Sequence, residues 1–110
     1  MSFHLAKPSA SSAKTVNGQT TGQAMSSQFV SVGVDVTAFS GTTPTLDLIV
    51  EWSFDNVNWS AGESPLTFAQ ILGIKSTHIM AQVRAPYMRV RWTLGGTTPS
   101  FTFTVYTYVF

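Results

Sequence analysis

The sequence predicts an all-β fold, a single antiparallel β-sandwich preceded by an extended N-terminal arm. Three observations point there. From residue 28 onward apolar residues alternate with polar ones, the period of strands that bury one face. Ser and Thr crowd the chain and the apolar residues are mostly Val and Phe, whereas the helix formers Leu, Ala, Glu and Lys are scarce. Short clusters of Gly, Pro, Asn and Asp separate the alternating runs, as in small sandwiches with a turn between every pair of strands.

Residues 1–27 hold Ser, Thr, Ala, Gly and Gln with isolated apolar side chains, too few to offset their own ordering entropy. They form an extended or partly ordered arm, and 28–110 form the sandwich. Within the arm, Ala13-Lys14-Thr15-Val16 before Asn17-Gly18 fits either a short strand closed by a turn or plain arm. Stretched at about 3.3 Å per residue, the arm reaches about 90 Å, enough to cross a neighbouring subunit. A loose tail has the same composition.

Each later run assigns an inner face. In 28–39, Val30, Val32, Val34, Val36 and Ala38 share one side. In 45–54, Leu46, Leu48, Val50, Trp52 and Phe54 point inward and Asp47, Glu51 and Ser53 outward, and a turn follows at Asp55-Asn56-Val57-Asn58. The run 66–74 fits a short helix ending at Gly73 as well as an irregular strand. Ile79, Ala81 and Val83 line the inner side of 77–85, Met88, Val90, Trp92 and Leu94 that of 87–94, and Phe101, Phe103, Val105 and Val109 that of 100–110. Gly41-Thr42-Thr43-Pro44 returns as Gly96-Thr97-Thr98-Pro99, which predicts two similar β-corners.

Composition narrows the function. A chain of 110 residues is one domain with enough apolar content, 44%, for a real core. Six Lys and Arg against five Asp and Glu leave a net charge of +1, too weak a field to gather nucleic acid or an anionic membrane. No run approaches a membrane span and the start lacks the apolar stretch of a signal peptide. The absence of cysteine excludes disulfides, thiolate metal sites and cysteine nucleophiles.

Catalytic and cofactor chemistry finds no foothold. Outside the arm's His4, only His78 could serve a Ser-His-Asp arrangement, and it falls on an outer strand face with no Asp nearby in sequence. A hydrolase is therefore disfavoured. Asp55, Asn56 and Asn58 fit Asx turns better than a calcium site, and no glycine-rich loop leads into a helix to cradle phosphate. No catalytic residue, metal or cofactor is assigned. Asn58-Trp59-Ser60 matches a glycosylation sequon, without a signal peptide to give access to that machinery. Trp59, in a loop, is the candidate for stacking on a sugar.

The surface asks instead for a partner. The segment 101–110 has high β-propensity, no charge and no Pro. With Phe101, Phe103 and Val105 inward, Tyr106, Tyr108 and Phe110 form an aromatic outer patch, to be covered either by another protein or by the chain's own arm. Outward acids Asp35, Asp47 and Glu51 precede outward bases Arg84, Arg89 and Arg91. These charges fit contacts between subunits or cross-strand pairs within one sheet.

Three segments carry a resemblance: Val34-Asp35-Val36-Thr37-Ala38-Phe39-Ser40-Gly41-Thr42-Thr43-Pro44-Thr45-Leu46-Asp47, then Trp52-Ser53-Phe54-Asp55-Asn56-Val57-Asn58-Trp59, then Tyr87-Met88-Arg89-Val90-Arg91-Trp92-Thr93-Leu94-Gly95-Gly96-Thr97-Thr98-Pro99-Ser100-Phe101. Over most of residues 30–105 the chain resembles small virion proteins of tailed bacteriophages, most closely head decoration or cement proteins. In those relatives the middle segment reads Ser-x-Asp-Gly-x-x-Trp, and here Asn56 replaces the Gly, a mild departure because Asn tolerates the left-handed region. The resemblance implies a jelly-roll-like sandwich on the capsid exterior, made in the host cytoplasm. Together with the surface pattern it leads to the expectation of a major capsid protein as partner and of a homo-oligomer, dimer or trimer, that clamps adjacent capsid subunits, with Tyr106, Tyr108, Phe110 and the arm as the interface that the alternation suggests. It carries over no active-site residue. The competing expectation is a carbohydrate-binding or host-recognition module of a phage tail or capsid surface that uses Trp59.

Overall fold

Two long alternating runs dominate the chain, and they become two strands that pair along their whole length. In the computed structural model, which describes residues 4–110, the order is β1 (His4–Lys14), β2 (Gly18–Gln19), β3 (Gln23–Ala24), β4 (Phe29–Ser53), β5 (Leu66–Thr67), β6 (Lys75–Gln82) and β7 (Tyr87–Val109). All pairings are antiparallel and belong to one sheet. β4 and β7 pair from Ser53 opposite Tyr87 to Val30 opposite Val109. A straight strand of the length of β7 would span roughly 75 Å at about 3.3 Å per residue, yet the longest dimension of the molecule is 43 Å. The β4–β7 ribbon therefore folds over, and its halves become the two layers of a jelly-roll-like sandwich.

In the first layer the order is β6, the N-terminal half of β4, the C-terminal half of β7, and β1. In the second, β5, the C-terminal half of β4 and the N-terminal half of β7 are followed by β2 and β3. The core between them unites Val30, Val32, Val34, Val36, Phe101, Phe103 and Val105 of the first layer with Leu46, Leu48, Val50, Met88 and Val90 of the second, all at most 2% exposed. Trp92 meets Phe103 edge to face across the gap, with ring centres 5.4 Å apart.

The two Gly-Thr-Thr-Pro motifs, predicted as separate corners, form one. Thr42 pairs directly with Thr97, and the motifs face each other across a local two-fold axis between them. Gly41 and Gly96 hold φ of 117° and 97°, Thr43 and Thr98 hold 47° and 46°, and each of those threonines donates its hydroxyl to the preceding carbonyl at 2.8 Å. The glycines are needed here for closeness as well as for φ. A Cβ on Gly41 would lie 2.8 Å from the Thr98 carbonyl oxygen, and one on Gly96 would lie 2.5 Å from that of Thr43.

The corner also resets which residues face inward. Register shifts fall between Val36 and Ala38, between Ser40 and Thr42, and between Thr42 and Thr45. The first and third each insert an extra residue in β4 and the second inserts one in β7, and every such bulge reverses the alternation. Two reversals leave even-numbered residues inward on both halves of β4; one reversal switches β7 from even, at Met88, Val90 and Trp92, to odd, at Phe101, Phe103 and Val105. Ala38 lies inside the reversed stretch and is exposed, against the sequence expectation, while Phe39, itself 45% exposed, stacks on Phe101 at 6.2 Å.

Three further expectations at the end of β4 are corrected. Phe54 is 81% exposed because the strand stops at Ser53, whose hydroxyl accepts the N–H groups of Asp55 and Asn56 and starts the turn. Ser53 and Glu51, expected to be exposed on the outer side, are both buried, although Glu51 keeps its outward parity. Ser53 is enclosed by that turn, and Glu51 lies beneath the arginines described below. The 66–74 segment is the irregular strand and not the helix. Ile71 exchanges both backbone bonds with Leu46 at 2.9 Å, committing an amide and a carbonyl that a helix would need.

The described part of 1–27 is extended and shared between both layers, with residues 1–3 of the predicted arm outside the described residues. β1 runs along β7 from Leu5 opposite Tyr108 to Lys14 opposite Phe101. The Lys14 ammonium donates to the carbonyls of Ala10 and Phe103 and lies 4.4 Å from the centre of the Phe103 ring; partial burial lowers its pKa. The chain then crosses to the second layer, where Asn17 Oδ1 accepts the Leu94 N–H and buried Thr20 Oγ1 accepts that of Val90.

Gly41→Ala and Gly96→Ala should each cost about 1–3 kcal/mol in urea unfolding, from left-handed strain and the backbone clash together. The double variant should lose less than the sum, since both changes open the same corner.

Candidate interaction surface

Alternation sends every second residue of the first layer outward, and the register decides which of them meet. Tyr108 stands between Leu5 of β1 and Ser31 of β4, and Ser31 faces Met80 of β6. In the next row Tyr106 faces Gly33, which faces His78. Beyond Tyr108, Phe110 pairs with Phe29 through two backbone bonds of 2.9 and 3.0 Å, and their rings stack at 5.6 Å. Tyr108 packs on Phe110 at 5.7 Å, and the Lys7 ammonium lies 5.6 Å from the Tyr106 ring centre. Leu5 and Met80 are each 61% exposed and Tyr108 40%.

The structure thus gathers the three predicted aromatics, Tyr106, Tyr108 and Phe110, on one face and adds Phe29, Leu5 and Met80. Phe29 was legible as an odd-numbered, outward position of β4, but Leu5 and Met80 join only through the register of β1 and β6. β1 pairs along the edge of β7 beside these side chains, and among the described residues Leu5, Met80 and Tyr108 keep much of their surface exposed.

The predicted bases go elsewhere. Glu51 of β4 faces Arg89 of β7, and its carboxylate accepts from Arg89 Nε at 2.8 Å and lies 3.5 Å from Arg91 Nε. The Arg89 guanidinium in turn sits 4.5 Å from the centre of the Trp59 ring. These residues lie on the outer face of the second layer, on the opposite side of the sandwich from the aromatics. Arg84, in the connection between β6 and β7, donates to the Ser64 carbonyl. The acids and bases on Glu51, Arg89 and Arg91 therefore form cross-strand contacts within the sheet.

Trp59 is held as part of that cluster. The 54–60 loop folds back, with Ser60 and Trp52 exchanging backbone bonds at 2.8 and 3.0 Å, and the Trp59 ring packs against Gly22, where a Cβ would come within 2.8 Å of it. Asp55 fastens the turn: its carboxylate accepts the N–H groups of Asn58 at 2.8 Å and Val57 at 2.9 Å, the Asn58 amide at 2.7 Å and the Ser53 hydroxyl at 2.9 Å. Those bonds, the Asn58 backbone first, hold its carboxyl well below the usual carboxylate range. Asn56 takes φ 61°, in the left-handed region that Asn tolerates. Among the described residues no group of three or more His, Cys, Asp or Glu side chains is placed to hold a metal.

Two outcomes follow from this loop and its arginine cluster. Because the Asp55 pKa is depressed on folding, its stabilisation is complete well above its ordinary value of 3.8, begins to fade below that value and is lost only as pH falls through the lower folded value. The stability gap between wild type and Asp55→Asn should be constant above about pH 5 and narrow below about pH 4, read by denaturant unfolding at each pH. Glu51→Gln should cost about 1–3 kcal/mol, since it leaves Arg89 half-buried without its charge partner; a double-mutant cycle with Arg89→Gln measures the coupling. No family model and no curated protein matches the chain.

Proposed function

We propose that this chain is a non-enzymatic virion structural protein that decorates a bacteriophage capsid from the outside and cements it. In this reading a homo-oligomer, dimer or trimer, clamps neighbouring major capsid subunits. The observation that carries the proposal is the outer face of the first layer, where Phe29, Tyr106, Tyr108, Phe110, Leu5 and Met80 present aromatic and apolar surface on a stiff, disulfide-free sheet. Aromatic side chains on a rigid base bring large contact area at little entropic cost, as protein interfaces require. The Gly-Thr-Thr-Pro corner and the Asp55 turn are the segments in which the sequence resembles small phage virion proteins, and both act as scaffold. Repeated over a lattice, modest contacts of this kind stabilise a shell through avidity.

The direct test is the copy number of this protein in purified virions by quantitative mass spectrometry. Hundreds of copies in a simple ratio to the major capsid protein support capsid decoration; a few per particle would move the protein to the tail and to host recognition, and none would remove it from the virion. Changing Tyr106 and Tyr108 together to Ser should lower capsid occupancy by roughly tenfold or more while leaving the unfolding midpoint of the free domain nearly unchanged. Unaltered occupancy would overturn the assignment of this face.

A further inference from the structure

A sheet edge is a row of unpaired N–H and C=O groups that templates another strand unless something blunts it. The two layers have four edges, and three are blunted. β5 is two residues long, as are β2 and β3. β1 carries Pro8, two register irregularities, and lysines at 7 and 14. The fourth edge, β6, is neither short nor interrupted. Its eight residues pair with β4 without interruption from Lys75 opposite Val36 to Gln82 opposite Phe29, and with no other strand among the described residues. It contains no Pro and no Gly, and its one formal charge is Lys75 at its first position. Its inward residues Thr77, Ile79 and Ala81 are only partly buried, so the core itself is open along this side.

We infer that β6 is a self-association edge, and that its partner is β6 of a second copy of this chain, paired antiparallel so that the first layer continues as one sheet through both molecules. The edge is complementary to itself. A two-fold axis at Ile79 sets Ile79 opposite the partner's Ile79, Thr77 opposite the partner's Ala81, His78 opposite the partner's Met80 and Ser76 opposite the partner's Gln82. Every such pair keeps inward residues inward, which a shift of one position would not. No like charges meet, because Lys75 falls opposite the partner's Val83. The two Ile79 side chains close the open side of both cores, and the backbone bonds supply the rest of the affinity, as in strand addition generally. The outer faces of the two first layers become continuous across the axis. The pairing needs no capsid and stands or falls separately from the virion reading.

Sedimentation equilibrium of the full chain at about 100 µM tests it, a concentration at which a micromolar dimer is nearly complete. The expected result is a dimer, converted to monomer by Thr77→Lys, whose inward charge at the edge opposes pairing while the far-ultraviolet spectrum stays that of wild type. Because the chain has no cysteine, Ile79→Cys provides a second reading. Under mild oxidation it should yield a disulfide-linked dimer, and Ala13→Cys on the β1 edge should not. A monomeric wild type, an oligomer that survives Thr77→Lys, or equal cross-linking at both edges would overturn the inference.

Discussion

The pairing of β4 with β7 through a shared corner is the constraint from which the rest of the structure follows. A ribbon this long has to fold over to bury its apolar face, and it can do so only where both strands accept left-handed backbone at the same level. Gly41, Thr43, Gly96 and Thr98 provide that, two on each strand, around the Thr42–Thr97 pair. The bulges beside the corner then set the phase of each half-strand. That phase puts Phe101, Phe103 and Val105 in the core and leaves Tyr106 and Tyr108 outside. The same local geometry thus makes the sandwich and decides what it shows to the outside.

The two outer faces use their side chains in opposite ways. On the second layer, Glu51, Arg89, Arg91 and Trp59 satisfy one another, charge against charge and cation against ring. Such a cluster orders a loop and fixes the pairing of two strands, and little of it is left over to recognise anything else. On the first layer the aromatics stack among themselves at the surface, which holds them in place but does not remove them from water. Burial of that surface by a partner would gain free energy at about 25 cal/mol per Å² before the costs of association.

Much of this fold could be read from the chain because period-2 alternation is so regular. The inner faces of 30–36, 46–52, 88–92 and 101–105 follow from it directly, and the Asx character of Asp55 predicted the turn that the structure shows. What alternation does not carry is where it slips. Nothing in Thr37-Ala38-Phe39 announces a bulge, so Ala38 appeared to continue the buried row. The Gly-Thr-Thr-Pro repeat was visible, but that its two copies embrace each other depends on a pairing between residues 42 and 97 that is a property of topology. Glu51 reads as an outward acid by parity and is indeed outward; it is buried because Arg89 and the Trp59 loop lie over it, and no local pattern encodes that cover. The aromatic patch was legible within one strand at Tyr106, Tyr108 and Phe110. Its width across four strands was not, because β1 and β6 enter through register.

The order in which the ribbon can form has a kinetic consequence. Ser53 and Tyr87 are the paired residues nearest in sequence, and Val30 and Val109 the most distant. Pairing that starts at the near end must negotiate the doubled corner before the first layer can assemble, so most native contacts arise late and across large chain separations. Chains of this topology fold slowly, on the millisecond-to-second scale typical of sandwiches. Throughout that interval the aromatic segment 101–110 has no neighbour on either side. Productive folding then competes with intermolecular strand pairing, and the yield on refolding becomes a question of protein concentration more than of final stability.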